Sequence, residues 1–188
     1  LSFLTVPSPE TLFKGIYKIP PGTWLNFNMS GEKKEKRYWD VLNHVEDLRG
    51  HSEEEIKDGV LEHLREAVQL RKVSDVPVGV FLSGGIDSSI IVGLMAAEMD
   101  RKVDTFSVVF GEKELSEGTY SRMIAERFQT NHHEIELDPK AFLEMIPDAL
   151  NQLDHPSGDG LNTYVVSRKT SEAGVKMALS GLGGDELF

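Results

Sequence analysis

From Val76 onward the chain alternates strand-like and helix-like segments, and no other feature restricts its fold as much. Residues 78–82 read as a short buried strand, and 86–99 as a helix with Ile90, Ile91, Leu94 and Met95 turned inward. Residues 103–110 are rich in β-branched and aromatic side chains and suit a second strand. A helix over 119–128, a strand over 133–137, helices over 141–153 and 163–173 and a last strand over 175–179 complete the series. Strands that alternate with helices build βαβ units, so the expected class is α/β: a parallel sheet with helices on both faces.

The region before Val76 has a different texture. Pro7, Pro9, Pro20 and Pro21 punctuate short apolar pieces. Residues 23–27 and 35–39 suit the two strands of a hairpin around turn residues 28–34. We therefore expect residues 1–40 to form a short hairpin-bearing connector and 41–188 to form the α/β domain. Ser52 followed by Glu55 is a capping box, and Ile56, Val60, Leu64 and Val68 recur every four residues. That spacing predicts an amphipathic helix to about Lys72 that packs on the sheet.

Composition removes several classes. A chain of 188 residues with 39% hydrophobic and 27% charged content has the make-up of a globular domain. No apolar run approaches the ~20 residues that span a bilayer, so no membrane segment is expected. There is no cysteine, which excludes disulfides, zinc–thiolate sites and a cysteine nucleophile within the chain. A net charge of -11 disfavours nucleic acid as a general partner. It leaves room for a nucleotide held through backbone amides and a divalent cation. The chain opens at Leu1 without a targeting signal and closes on a glycine-rich acidic cluster, which reads as a segment of something longer.

The chemistry concentrates in Leu82-Ser83-Gly84-Gly85-Ile86-Asp87-Ser88-Ser89, at the carboxyl end of one strand and the start of a helix. That is where α/β sheets bind ligands. Gly84 and Gly85 allow a sharp turn and close approach to an anion, and the helix amides point out at the positive end of the dipole. Ser83, Ser88 and Ser89 add hydroxyl donors, and these groups together suit a pyrophosphate. Asp87 would repel phosphate unless a cation lay between, and its carboxylate is a hard ligand of the kind magnesium takes. No lysine follows the glycines, which excludes the Gly-x-x-x-x-Gly-Lys-Ser/Thr loop. Ser88 stands where the dinucleotide fingerprint needs glycine. A second strand ends in Leu179-Ser180-Gly181-Leu182-Gly183-Gly184-Asp185-Glu186-Leu187-Phe188. Parallel strands deliver their carboxyl ends to one rim, so Asp185 can meet Asp87 around one magnesium ion. Read alone, Asp185 and Glu186 would equally suit a helix start.

The first loop resembles the Ser-Gly-Gly-x-Asp-Ser loop of the ATP pyrophosphatase (PP-loop) superfamily, with its adenine nucleotide alpha hydrolase-like, Rossmann-like fold. Pro9 to Ile16, Lys18 to Gly22 and Tyr38-Trp39 look like the linker that follows the glutaminase domain in glutamine-hydrolysing asparagine synthetases. The 82–89 loop, Phe106-Ser107-Val108, His132-His133-Glu134, the helix carrying Tyr164 to Arg168 and the 180–188 cluster follow in that family's order. The resemblance implies ATP on Leu82, Ser83, Gly84, Gly85, Asp87, Ser88, Val108, Ser180 and Gly181, with adenine near Leu82 and Val108. It implies Mg2+ on Asp87 and Asp185. It also implies a cytoplasmic ligase that adenylates a carboxylate, aspartate in the type case, releases pyrophosphate, and admits ammonia from a glutaminase domain. That domain is absent from this chain. Leu182 departs from the pattern, because family members carry an acid there. The acceptor therefore stays open, as does homo-oligomerisation. A cyclase using an internal amine and a non-catalytic nucleotide-binding module are the alternatives. The family's later catalytic residues lie past Phe188.

Overall fold

The computed structural model describes residues 6–110, 118–153 and 157–185. It divides into two units, one of Leu1–Ile56 with Leu153–Gly160 and one of Lys57–Gln152 with Leu161–Phe188.

The first unit holds an antiparallel hairpin, β1 (Thr23–Phe27) and β2 (Lys33–Arg37), closed by the pair Phe27↔Lys33. The return strand starts two residues before the expected position, because Asn28 makes the turn tighter. Its side-chain oxygen accepts from the amides of Ser30 (3.1 Å) and Glu32 (2.8 Å), and Gly31 takes φ +83°. Asx turns of this kind fix the backbone locally. A 3-10 turn follows at Val41–His44, where Asp40 accepts from the Leu42 amide.

The second unit carries the α/β architecture. Four parallel strands, β3 (Val78–Phe81), β4 (Asp104–Phe110), β5 (Asn131–Leu137) and β6 (Met177–Leu179), lie in the order β5-β4-β3-β6. The helices are α1 (Glu53–Arg71), α2 (Ile86–Glu98), α3 (Gly118–Arg127), α4 (Pro139–Gln152) and α5 (Gly160–Glu172). Val68 of α1, Val92 and Met95 of α2 and Ala125 of α3 pack with Val78, Val80 and Leu179 in one cluster. Met145 of α4 and Val165 of α5 pack with Leu137 and Val108 in another. Burial on both faces explains why β3 reads as an uninterrupted Val-Gly-Val-Phe run rather than an alternating one.

Two further boundaries moved for identifiable reasons. Helix α4 begins at Pro139, because proline suits a first helical turn and Asp138 caps it by accepting from the Ala141 amide. Strand β6 begins only at Met177, since Gly174 at φ +90° turns the chain out of α5 while the Val175 amide still bonds the Thr170 carbonyl. In α2, Ile90 does not face inward as expected: it is 39% exposed, and Val92 takes the fully buried place. Along α1 only Val68 of the apolar stripe is buried. His132 and His133, adjacent on a strand, face opposite sides. The His132 Nδ1 lies 2.9 Å from the Thr105 hydroxyl, and the His133 ring stacks on Phe106 at 4.8 Å.

Candidate active site

In the order β5-β4-β3-β6 the chain moves outward from β3 to β4 and β5, then returns to the other side of β3 as β6. The strands after which the direction reverses are therefore neighbours, β3 and β6. A crevice opens at the carboxyl ends of such a pair, and open α/β sheets bind ligands there. Both sequence motifs leave the sheet at this point.

They line one cleft of ≈ 510 Å³. The β3 loop contributes Ser83, Gly85, Asp87 and Ser88, the β6 loop contributes Ser180, Gly181, Leu182 and Asp185, and Phe81 and Ile86 complete the wall. The loops touch through glycine. A β-carbon on Gly181 would lie 2.8 Å from the Ser88 nitrogen, and one on Gly184 would lie 2.2 Å from Asp87 Oδ2. Side chains at either position would separate the loops. Gly84, at φ +89°, turns the chain against α3: a β-carbon there would meet Tyr120 Cβ at 2.7 Å and the Ser121 nitrogen at 2.8 Å.

The hydroxyls divide their work differently from the sequence expectation. Ser88 and Ser89 both donate back to the Gly85 carbonyl, at 3.2 and 2.6 Å, and Ser88 Oγ lies 3.1 Å from Ser83 Oγ. Such back-bonding to the preceding turn is what serine does near a helix start. These two residues brace the loop. Ser83, which accepts from the Gly85 amide at 3.2 Å, stays exposed at the cleft. The start of α2 has Gly85 in the capping position and no side-chain cap. By contrast, Ser52 and Glu55 cap α1 reciprocally, with the Ser52 amide donating to Glu55 at 2.7 Å. The first amides of α2 thus keep free donors and the positive dipole end toward the cleft.

Leu82, Gly84 and Val108 do not line this cleft. Leu82 is fully buried, its amide donates to the Phe106 carbonyl at 2.8 Å, and its carbonyl accepts from the Ser107 hydroxyl. Both backbone groups are already partnered within the sheet. Val108 packs against the cluster of α4 and α5. Glu186 and Phe188 lie outside the described residues. Sequence reasoning missed Ile86 and Phe81 as wall residues. No sequence signal marked them: Ile86 opens a helix and is 79% exposed, where hydropathy alone would bury it.

Among the described residues the cleft holds two carboxylates and no lysine or arginine. No set of three His, Cys, Asp or Glu side chains is grouped for a metal there or elsewhere in the described chain. Asp87 and Asp185 in one cleft suit magnesium, which is held by one or two carboxylates and takes phosphate oxygens and water for the rest.

A family model described as Asparagine synthase matches residues 59–188. The chain belongs to the asparagine synthase family. A Methanocaldococcus jannaschii protein named, provisionally, asparagine synthetase (glutamine-hydrolyzing) 2 is 37% identical over 97% of this chain and 35% of its own length. Asparagine synthetase (glutamine-hydrolyzing) 1 of Bacillus subtilis is 32% identical over 100% of this chain and 29% of its own. A Penicillium rubens relative named Amidase chyE is 32% identical over 95% and 29%. The chain spans about a third of the length of these curated relatives.

Proposed function

We propose that this chain is the nucleotide-binding part of an ATP-dependent, amide-forming ligase of asparagine synthetase type. The observation that carries the reading is the meeting of the two loops: an uncapped helix start and two acids share one cleft that, among the described residues, contains no basic side chain. A triphosphate in such a cleft needs backbone amides and a cation to offset its charge, and the cleft is built to offer the first and hold the second. Membership in the asparagine synthase family supports the same conclusion.

In this reading the amides at the start of α2 and the Ser83 hydroxyl hold the β- and γ-phosphates, Ser180 and Gly181 border the nucleotide, and Asp87 and Asp185 hold Mg2+. Magnesium, when bound, neutralises charge that builds on the departing pyrophosphate. An acceptor carboxylate oxygen bonds to the α-phosphorus as the bond from that phosphorus to the β-bridging oxygen breaks. Pyrophosphate leaves with the electron pair. Ammonia then attacks the acyl carbon of the adenylate, expels AMP and loses a proton, leaving the amide. The chain's contribution is to position and to offset charge, the dominant needs of phosphorus transfer. Residues 1–40 serve as the linker after a glutaminase domain that supplies ammonia from glutamine, 41–188 belong to the synthetase domain, and the enzyme works in the cytoplasm.

Product analysis tests this. Full-length protein given ATP, Mg2+, ammonia and an acceptor acid should yield AMP and pyrophosphate in equal amounts. ADP with phosphate would overturn the reading.

A further inference from the structure

Beside the nucleotide cleft lies a second hollow of ≈ 450 Å³, between α1, α2 and β6. The two share Asp87, Ser180, Gly181 and Leu182, so they adjoin along a common lip. Their linings differ. The second hollow is walled by Leu64, Val68, Ile90, Ile91, Leu179 and Leu182. Its one carboxylate among the described residues is the shared Asp87, and its one cation is Arg71.

The two charges stand at opposite ends. Asp87 is at the mouth with residues 180–184. Arg71 is in the last turn of α1, about 10 Å along the helix from Leu64, on the side where the chain leads to the start of β3. The Arg71 guanidinium bonds only the Ala67 carbonyl of its own helix, at 3.1 Å, and makes no ion pair among the described residues. Two apolar side chains of the second hollow are also exposed: Leu182, at the lip, is 87% exposed and Ile90, in the wall, is 39% exposed.

We propose that this hollow is the acceptor pocket, and that it takes a carboxylic acid with an apolar body rather than a small dicarboxylic amino acid. The inference rests on the amide-forming reading of the adjoining cleft. The acid's carboxylate lies at the shared lip, where it reaches the α-phosphorus. Its hydrocarbon body covers Ile90, Ile91 and Leu182, and a hydrogen-bond acceptor at its far end meets Arg71. Aspartate fits poorly. Among the described residues its ammonium group finds no carboxylate in the hollow except Asp87, and its short body leaves the leucine and isoleucine wall wet.

The test is an acceptor panel with full-length protein, ATP, Mg2+ and ammonia, scored by AMP release. Hexanoate, phenylacetate and 4-carboxyphenylacetate are compared with aspartate. The apolar-bodied acids should show kcat/KM at least about tenfold above aspartate, since one or two methylenes in an apolar pocket discriminate by that much. Ile90→Ser should raise KM for the preferred acid several-fold and leave KM for ATP unchanged, because Ile90 borders the second hollow alone. Higher kcat/KM for aspartate, or an Ile90→Ser enzyme indistinguishable from the parent, would overturn the pocket assignment while leaving the ligase reading intact. ADP as product, or no AMP with any acid, would overturn both.

Discussion

At Gly184 the space that a β-carbon would need is occupied by the Asp87 carboxylate, 2.2 Å away. Gly183, one residue earlier, has open space but sits at φ +99°. The pair separates two effects. Gly184→Ala pushes Asp87 off its position without straining the backbone, so AMP formation should fall about a hundredfold or more, as it does when a charge-positioning group is lost. Thermal stability should change little. Gly183→Ala strains the backbone by about 1–3 kcal/mol and should lower stability before it displaces Asp87. Melting curves read beside AMP release distinguish them. His132 supplies a pH prediction. Burial pushes its imidazole below the usual range, outweighing the Glu134 carboxylate 3.7 Å from Nε2. The unfolded chain takes up the proton near pH ~6.5, and the folded chain only at lower pH. Stability is therefore full above pH ~6.5 and declines as pH falls from there toward the folded value. Urea midpoints at pH 7.5 and 5.5 should differ less in His132→Gln than in the parent.

Helices α1 and α2 start in opposite ways, and the contrast shows what an element is for. Ser52 and Glu55 close the start of α1 on itself. Ser52→Ala should cost about 0.5–2 kcal/mol, seen as a lower melting temperature with ATP affinity unchanged. The start of α2 is left open by Gly85, whose added β-carbon would meet only Ser83 Oγ, at 3.3 Å. Gly85→Asp fits sterically and would cap the helix, so the melting temperature should hold or rise slightly. ATP affinity should fall at least about tenfold, because the new carboxylate takes the amides that phosphate needs. The elements themselves were legible in the sequence because their signals are local: apolar runs of strand length, a capping box, glycines after strands. The starts of β2, α4 and β6 were not, since Asn28, Asp138 and Gly174 set them through hydrogen bonds or backbone angles that periodicity does not record. The inward face of α2 was misjudged at Ile90 because the position borders a hollow, and hydropathy cannot tell a wall from a core.

Across the whole molecule, the order β5-β4-β3-β6 sets where chemistry can occur. The sequence could say that both glycine-rich loops end strands and so share a rim. It could not say that their strands are adjacent, because pairing depends on where the chain crosses over. Nor could it show that Leu82 and Val108 spend their groups on the sheet and its packing. With a net charge of -11 the chain repels free ATP at long range, so in the proposed reading the cation would do more than fill a gap between two acids. ATP with Mg2+ at a hundred times its dissociation constant should stabilise the full-length protein by about 2.7 kcal/mol. Asp185→Asn should remove most of the Mg2+-dependent part and leave stability without ligand at or slightly above the parent's.

The central claim is that the crevice between β3 and β6 holds a triphosphate and its metal. A crystal structure of the full-length protein with α,β-methylene-ATP and Mg2+ tests it most directly. The account predicts the β- and γ-phosphates against the amides at the start of α2, with the ion bridging Asp87 and Asp185. Nucleotide bound elsewhere, or an ion that touches neither aspartate, would contradict it.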